Sequence, residues 1–512
     1  MNKKNIIIVG GGMSGWLSAA ILLSSGKHNK EYINKITLVS SDDIPTIGVG
    51  EGTVPIIRTF FEKSIGKLNL DNVNHKLKLG SHYTGWTSKD WYHPFFSKHW
   101  ARTGLSYMQG EAGMINSVFG DFFKSDNCSE KTKKNMSSFH FDSYEMLTAL
   151  KNMITPNKQF EWVKDTITSV NLDDDGYIKD LELEKNKNIS GDIYLDCSGF
   201  SRMLISKVSE SSFEDYSEYL PCNRAIATHI DITKEKKYVW TTATAMEAGW
   251  HWSIPLQDKI GVGYVYSNKF ISDRSAEKEF NNHLGGKHDY LKLRFNPGYH
   301  KESFSKNCFA IGIASGFFEP MEATALMTNL KQVIPLMWLI KNDSNPSELY
   351  SNDRVKSFRK LYNKNIENMF LSIRDYIFGH YYLSDNNHSS FWKYFNNVKL
   401  PNNFSNLIEA WKNLNNDNVD EFWDIFYKGY TLDYDNDEEL EQFIIHENSY
   451  VSIPRTLSNQ WLLGGDKYAF SAFSWIALFM GMNYYPENFK YVDDLLTQPL
   501  PHPSNKANIQ LI

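Results

Sequence analysis

Apolar residues run unbroken from Ile6 to Val9, between polar Lys3 to Asn5 and three consecutive glycines, the pattern of a short strand buried on both faces. Small and apolar residues then recur at helical spacing from about Ser14 to Ser25, and Lys35 to Val39 repeats the first pattern, so the chain opens with a βαβ unit. From about Leu77 to Phe123 polar and aromatic residues follow one another without a regular period, which predicts loops and short helices. His140 to Met153 carries a helical period. Trp162 to Glu184 reads as a hairpin-like pair turning at Asp173-Asp174-Asp175-Gly176, and Asp192 to Leu195 as a short buried strand. Between about Leu220 and Tyr266, the aromatic and β-branched segments Tyr238 to Ala245, Trp250 to Pro255 and Gly261 to Tyr266 predict an antiparallel sheet. Phe309 to Ile313 predicts one more short strand and Glu322 to Lys341 a helix. After about Pro346 the chain reads as largely helical, ending in a proline-containing tail from Gln498 that wraps the surface or frays.

This order of elements predicts an α/β fold, with a doubly wound core, an antiparallel sheet packed on it and a mostly helical C-terminal region. We expect residues 1–343 to form the core and 344–512 a helical region packed on its substrate side. The composition, 41% hydrophobic and 22% charged, excludes a disordered chain. A net charge of −6 lacks the basic field a nucleic-acid binder needs. The four cysteines, Cys128, Cys197, Cys222 and Cys308, have no CxxC spacing, so neither a zinc site nor a disulfide framework is expected. The longest apolar stretch, around Phe473 to Met482, is too short to span a bilayer. No membrane insertion and a cytoplasmic location are therefore expected.

The first chemistry-bearing motif is Gly10-Gly11-Gly12-Met13-Ser14-Gly15, a GxGxxG directly after a strand and directly before a helix. Gly10 makes the tight turn, Gly12 lets backbone approach a pyrophosphate, and Gly15 allows close packing of helix on strand, with the helix N-terminus adding positive potential. This is the Rossmann-like start of a dinucleotide-binding domain. Such domains often end the second strand with an acid that binds the ribose; here Leu38-Val39 is followed by Ser40 and Ser41, and Asp42 and Asp43 come late. Either a serine hydroxyl takes that contact or the adenosine end is held less firmly. Ile47-Gly48-Val49-Gly50-Glu51-Gly52 is glycine-punctuated in a way that lets backbone lie against a ligand.

Further along stands Gly249-Trp250-His251-Trp252-Ser253-Ile254-Pro255, which resembles the WxWxIP signature of the flavin-dependent, tryptophan-type halogenases. Other segments resemble the same family in the same order: Pro45 to Glu51 its flavin strap, His140-Phe141-Asp142 the start of an interior helix, Asp196-Cys197-Ser198-Gly199 a strand-end turn. Ile311 to Thr324, with Phe317-Phe318-Glu319-Pro320-Met321-Glu322, resembles its second flavin and halide segment. The likeness runs from the first strand to His380-Tyr381, with a fainter continuation through Ser474-Trp475 and Gly481-Met482.

The resemblance implies an FAD-binding enzyme that uses reduced FAD, supplied from outside by a separate flavin reductase, with oxygen and a halide ion (chloride, bromide or iodide). The hypohalous acid so formed would be guided onto a small, electron-rich aromatic substrate. It implies flavin contacts from Gly10, Gly12, Met13, Ser14, Gly15, Trp16, Ser40, Ser41, Val49, Gly50, Glu51, Val163, Ile313 and Leu326. Lys78, in Leu77-Lys78-Leu79-Gly80, would be the essential lysine that receives the oxidant by hydrogen bond or as a haloamine. Glu322 would be the carboxylate that polarises the oxidant or accepts the ring proton. The backbone amides of Thr324 and Ala325, at a helix start, would hold the halide. His93 and Phe95, in Tyr92-His93-Pro94-Phe95, would flank the flat substrate ring. This chain has Ala323 where relatives often have serine. The stretch His446 to Gly465 departs from the segment that relatives use to hold free tryptophan, so indoles, phenols and a carrier-tethered aromatic all stay open. Two other readings share the FAD frame: a single-component flavin monooxygenase, and a catalytically inactive flavin-binding module. Neither has a use for the pair Lys78 and Glu322.

Overall fold

Strand β1 (Lys4–Val9) sends Ile6 and Ile8 to one face and Ile7 and Val9 to the other, and each pair is buried in its own hydrophobic cluster. With α1 (Met13–Ser24) and β2 (Ile33–Ser40) it forms the expected βαβ unit, and α1 buries Trp16, Leu17 and Ala19 to Leu22 against the sheet. The computed structural model describes residues 3–24, 29–43, 48, 50–63, 68, 70–95, 137–232, 239–342, 353–414 and 472–484.

After a two-residue strand Glu51–Gly52 and a helix Pro55–Lys63 come three short strands, β3 (His75–Lys78), β4 (Gly80–Thr84) and β5 (Trp91–Pro94), and from Leu77 on sequence alone predicts loops and short helices there. The correction has a physical reason. These strands are too short and too rich in polar residues to show a period, and β4 is held by parallel pairing to a strand far along the chain, Trp240 opposite Gly80. A second correction follows at β6 (Ser138–Phe141), predicted as the first turn of a helix: Phe139 and Phe141 alternate along an extended segment that pairs with β3. Helix α2 (Ser143–Ile154) starts only after Asp142, whose Oδ1 accepts from the backbone N–H of Tyr144 and Glu145, both at 3.0 Å.

The two largest sheets are completed by β7 (Phe160–Lys164), β8 (Ile193–Asp196), β9 (Arg224–Asp231), β10 (Trp240–Met246), β11 (Gly249–Pro255), β12 (Lys259–Tyr266), β13 (Leu291–Arg294), β14 (Phe304–Ser305) and β15 (Cys308–Ala310). The hairpin expected after Trp162 is formed by Ile167–Leu172 and Ile178–Leu183, while Trp162 itself belongs to β7. The nucleotide-side sheet has the order β14-β15-β8-β1-β2-β7, parallel throughout except at the β14–β15 hairpin. The second sheet, β13-β9-β12-β11-β10-β4-β5, is antiparallel as expected apart from β10 and β4.

Helix α3 (Thr324–Val333) starts two residues later than the pattern suggests and gives way to a further helix over Leu336–Asn342. Helix α4 (Asp353–Tyr382) and α5 (Ala472–Gly481) carry the C-terminal helical character. One hydrophobic cluster contains Ile6 and Trp250 together with Phe378 and Trp475, so residues on both sides of position 343 share a core. Among the described residues no helix is long and apolar enough to cross a membrane.

Candidate active site

The turn from β1 into α1 is built for close approach. Gly10 has φ +121°, and a Cβ there would stand 2.2 Å from the carbonyl oxygen of Cys197; a Cβ on Gly15 would stand 2.0 Å from the carbonyl of Gly10. Gly12 differs: a Cβ added to it meets no protein atom within 4 Å, so its backbone is bare towards open space. That space is a cavity of about 820 Å³, walled by Gly10, Gly12, Met13, Ser14, Ser40 and Ser41 and also by Gly50, Glu51, Ile313 and Leu326. A bare glycine turn opening a helix N-terminus into a cavity of this size fits a dinucleotide. Gly15 and Trp16 do not wall it; they pack the helix, Trp16 fully buried and edge-on to Trp162 at 5.0 Å. Val163 pairs with Val39 and packs on the second cluster rather than on the cavity wall, and Val49 lies outside the described residues.

At the end of β2, Ser40, Ser41 and Asp42 all wall the cavity. Trp162 Nε1 donates to Ser40 Oγ at 2.9 Å, Thr166 donates to Ser41 at 3.1 Å, and Asp42 is paired at 3.3 Å with Lys164 on an exposed surface. Trp162 and Lys151, whose Nζ lies 5.2 Å from that ring, also wall the cavity. Neither has a signal in the glycine motif, because both arrive from other elements.

Lys78 and Glu322 are both buried in the same cavity wall. Lys78 ends β3, and a Cβ on Gly52 would lie 2.9 Å from its Nζ, so the ammonium passes over a glycine that leaves it room. Burial pushes Lys78 down to about 8, against the opposing pull of Glu322. Its Nζ stands 5.3 Å from the centre of the Phe95 ring.

Glu322 sits at φ 63°, ψ 13°, and Ala323 at φ 56°, ψ 40°, two successive non-glycine residues in the left-handed region. This backbone turn aims the carboxylate into a cluster of donors. Oε1 accepts from the hydroxyl of Tyr83 and lies 2.9 Å from His93 Nδ1 and 4.0 Å from His380 Nε2; Ser81 Oγ donates to Oε2 at 3.4 Å. Burial alone would raise this carboxyl, but His93, then His380 and Tyr83, hold it down at about 2. Immediately after it α3 begins without a side-chain cap, and Thr324 and Ala325 face the cavity.

His93 and Phe95 are not part of the cavity wall; they touch the lysine–glutamate pair from outside it. Tyr83, Ser81, His380 and Tyr376 were not anticipated as site residues. A signal for two of these four exists once the β4–β5 hairpin is recognised: Ser81 and Tyr83 share one face of β4, and Ser81 is directly opposite His93. The WxWxIP segment supplies Trp250 and Trp252 on one face of β11, both in the cavity wall, and Trp250 Nε1 donates to Glu319 Oε2 at 2.7 Å. Burial lifts the Glu319 carboxyl to about 7, opposed by hydrogen bonds from Tyr381 and Trp250.

The sequence profile of the tryptophan halogenases matches residues 5–498. The chain belongs to this family. The halogenase is 29% identical over 450 residues to the tryptophan 6-halogenase ThaL of Streptomyces albogriseolus, an overlap of 80% of this chain and 82% of that protein. It is 28% identical over 445 residues to the tryptophan 7-halogenase RebH of Lentzea aerocolonigenes, covering 80% and 81%. Its fold is that of BrvH, a flavin-dependent halogenase from Brevundimonas sp. BAL3: the TM-score is 0.75 at 24% identity, over 96% of this chain and 92% of that one. This halogenase is accordingly an oxidoreductase that uses FAD and a halide to halogenate an aromatic substrate.

Proposed function

We propose that this halogenase takes reduced FAD from a separate cytoplasmic flavin reductase and halogenates an indole-type aromatic. The observation that supports this reading best is that Lys78 and Glu322 share the wall of the cavity onto which the bare Gly12 turn opens. Bound in that cavity, reduced FAD and oxygen would supply the oxidising equivalents that turn halide into hypohalous acid. Met13, Ser14, Ser40, Ser41, Gly50, Glu51, Ile313 and Leu326 would hold the flavin from the wall. Lys78 receives the oxidant. With its pKa pushed down to about 8, both the ammonium that hydrogen-bonds hypohalous acid and the amine that forms a haloamine are accessible near neutral pH. Glu322, kept anionic, holds the polar end of this arrangement in place.

The halide would sit at the uncapped start of α3 on the N–H groups of Thr324 and Ala325. Because Ala323 carries no hydroxyl there, bromide or iodide is accepted at least as well as chloride; a strong chloride preference in direct competition would contradict this. The relatives named as tryptophan halogenases support an indole ring as the group that His93 and Phe95 receive. The test is mass spectrometry of products from indoles, phenols and tryptophan, incubated with the protein, FAD, a flavin reductase, NADH and each halide. Monohalogenated indole is the expected product. An oxygenated product, or bleaching of the flavin by NADH without reductase, would indicate a monooxygenase instead.

A further inference from the structure

The turn before α3 carries two buried glutamates, Glu319 and Glu322, in opposite surroundings. Glu322 is served at both oxygens: Tyr83 donates to Oε1, where His93 Nδ1 also lies, and Ser81 donates to Oε2. Glu319 is served at one oxygen only. Trp250 Nε1 and the Tyr381 hydroxyl both donate to Oε2, while Oε1 is shut away from solvent with no hydrogen-bond partner. Consecutive residues of α4 attend the two carboxyls, His380 lying 4.0 Å from Glu322 and Tyr381 bonding Glu319.

The groups that bear on Glu319 are Tyr381 of α4, Trp250 of β11 and Cys222, and none of them is a cation. Burial pushes the Tyr381 phenol and the Cys222 thiol well up, so both stay neutral. A buried carboxylate with one oxygen that nothing solvates is costly, and protonation removes that cost. The proton belongs on Oε1, because Oε2 already accepts twice. The lift of this carboxyl to about 7 agrees.

Glu319, Glu322, Thr324 and Ala325 wall the same cavity, along one short stretch of chain. Glu322 is already ionised there, with Lys78 as the opposing charge. A second carboxylate would repel an anion at the start of α3. Two like unit charges about 10 Å apart, at an effective dielectric constant of about 20, change an affinity by about tenfold.

We propose that the proton on Glu319 keeps this turn open to halide: the neutral acid admits the anion, and its ionisation weakens halide binding. The inference rests on the halide site given above at Thr324 and Ala325. Its sign is fixed by the carboxyl's pKa. Below about 7 the acid is neutral and halide affinity is full; as pH rises through 7 the affinity falls. Lys78 acts in the same direction at higher pH, losing its positive charge through about 8, and His93 and His380 also face Glu322. The comparison therefore needs a variant that changes Glu319 alone.

The experiment measures bromide affinity of the FAD-loaded protein from the rise in Tm across a bromide series, at pH 6 and pH 8, with ionic strength held by gluconate. In the parent the dissociation constant is expected to rise about fivefold from pH 6 to pH 8. In Glu319→Gln, which keeps an oxygen for Trp250 and Tyr381 and cannot ionise, the rise is about twofold or less. Tyr381→Phe removes a donor that holds the carboxyl down, so the loss of affinity moves to higher pH. FAD affinity and near-ultraviolet circular dichroism show that each variant is folded. Infrared spectra follow the acid itself: between pH 6 and pH 8 the parent loses a protonated-carboxyl band that Glu319→Gln lacks. Glu51, also lifted to about 7 by burial, keeps its own band in that variant. An equal pH dependence of bromide affinity in the parent and Glu319→Gln, or no band that the substitution removes, would overturn the proposal. Bromide that binds at neither pH in either protein would overturn the halide site itself, and the proposal with it.

Discussion

The ammonium of Lys78 stands 5.3 Å above the ring of Phe95, inside a wall where Lys78 itself is almost wholly shielded from solvent. A buried lysine whose pKa is lowered from 10.5 to about 8 costs stability, and the sign can be worked out. Between those two values the unfolded chain holds the proton that the folded chain has released, so stability rises with pH across that window. Below it the cost is complete, about 3 kcal/mol by linkage. Lys78→Met, which keeps the length and drops the charge, is expected to raise stability at pH 7 and to abolish the increase between pH 8 and 10.5; urea titrations at a series of pH values measure both.

Glu322 behaves oppositely. Its carboxyl is held at about 2 against an ordinary 4.5, so its contribution is present above pH 4.5 and is lost as pH falls towards 2. His93→Gln removes the largest stabilising partner of the carboxylate. The loss of stability between pH 4.5 and 2 should then be smaller in the variant than in the parent, and an undiminished loss would argue against the His93–Glu322 pairing.

The glycine turn separates folding from binding at adjacent positions. Gly12→Ala adds a Cβ that meets no protein atom, so the apoprotein should unfold at an unchanged denaturant midpoint while FAD affinity falls by about tenfold or more. Gly10→Ala drives a Cβ into the backbone of Cys197 at a positive φ and should destabilise the apoprotein by about 2 kcal/mol or more. Calorimetric FAD titration together with denaturation tells the two apart.

The left-handed pair before α3 stores strain that glycine would release. Ala323→Gly is expected to stabilise the protein by about 1 kcal/mol in denaturant melts, since Ala323 has φ 56° and no side-chain cap to lose.

The βαβ start, the glycine turn and the tryptophan strand were legible because each is local: a run of four apolar residues, a glycine spacing, an alternation. Strands β3 and β4 were not, because they pair with β6 and β10, which no local window contains, and β5 pairs only with β4. The same holds for the site. Lys78 and Glu322 could be named only through a family resemblance. The donors around Glu322 come from β4, β5 and α4 and converge only when the second sheet and the long helix are folded together. Asp142 shows the reverse case: a visible N-cap signal that would have moved the helix start from His140 to Ser143 had its capping preference been weighed.

The most direct test of the account is Lys78→Ala assayed beside the parent, with product mass spectrometry and flavin oxidation followed in the same reactions. The account predicts halogenated indole from the parent alone, with flavin oxidation continuing at a comparable rate in both. Halogenated product at the parent's rate from Lys78→Ala would contradict it, because the oxidant would then reach the ring without the lysine.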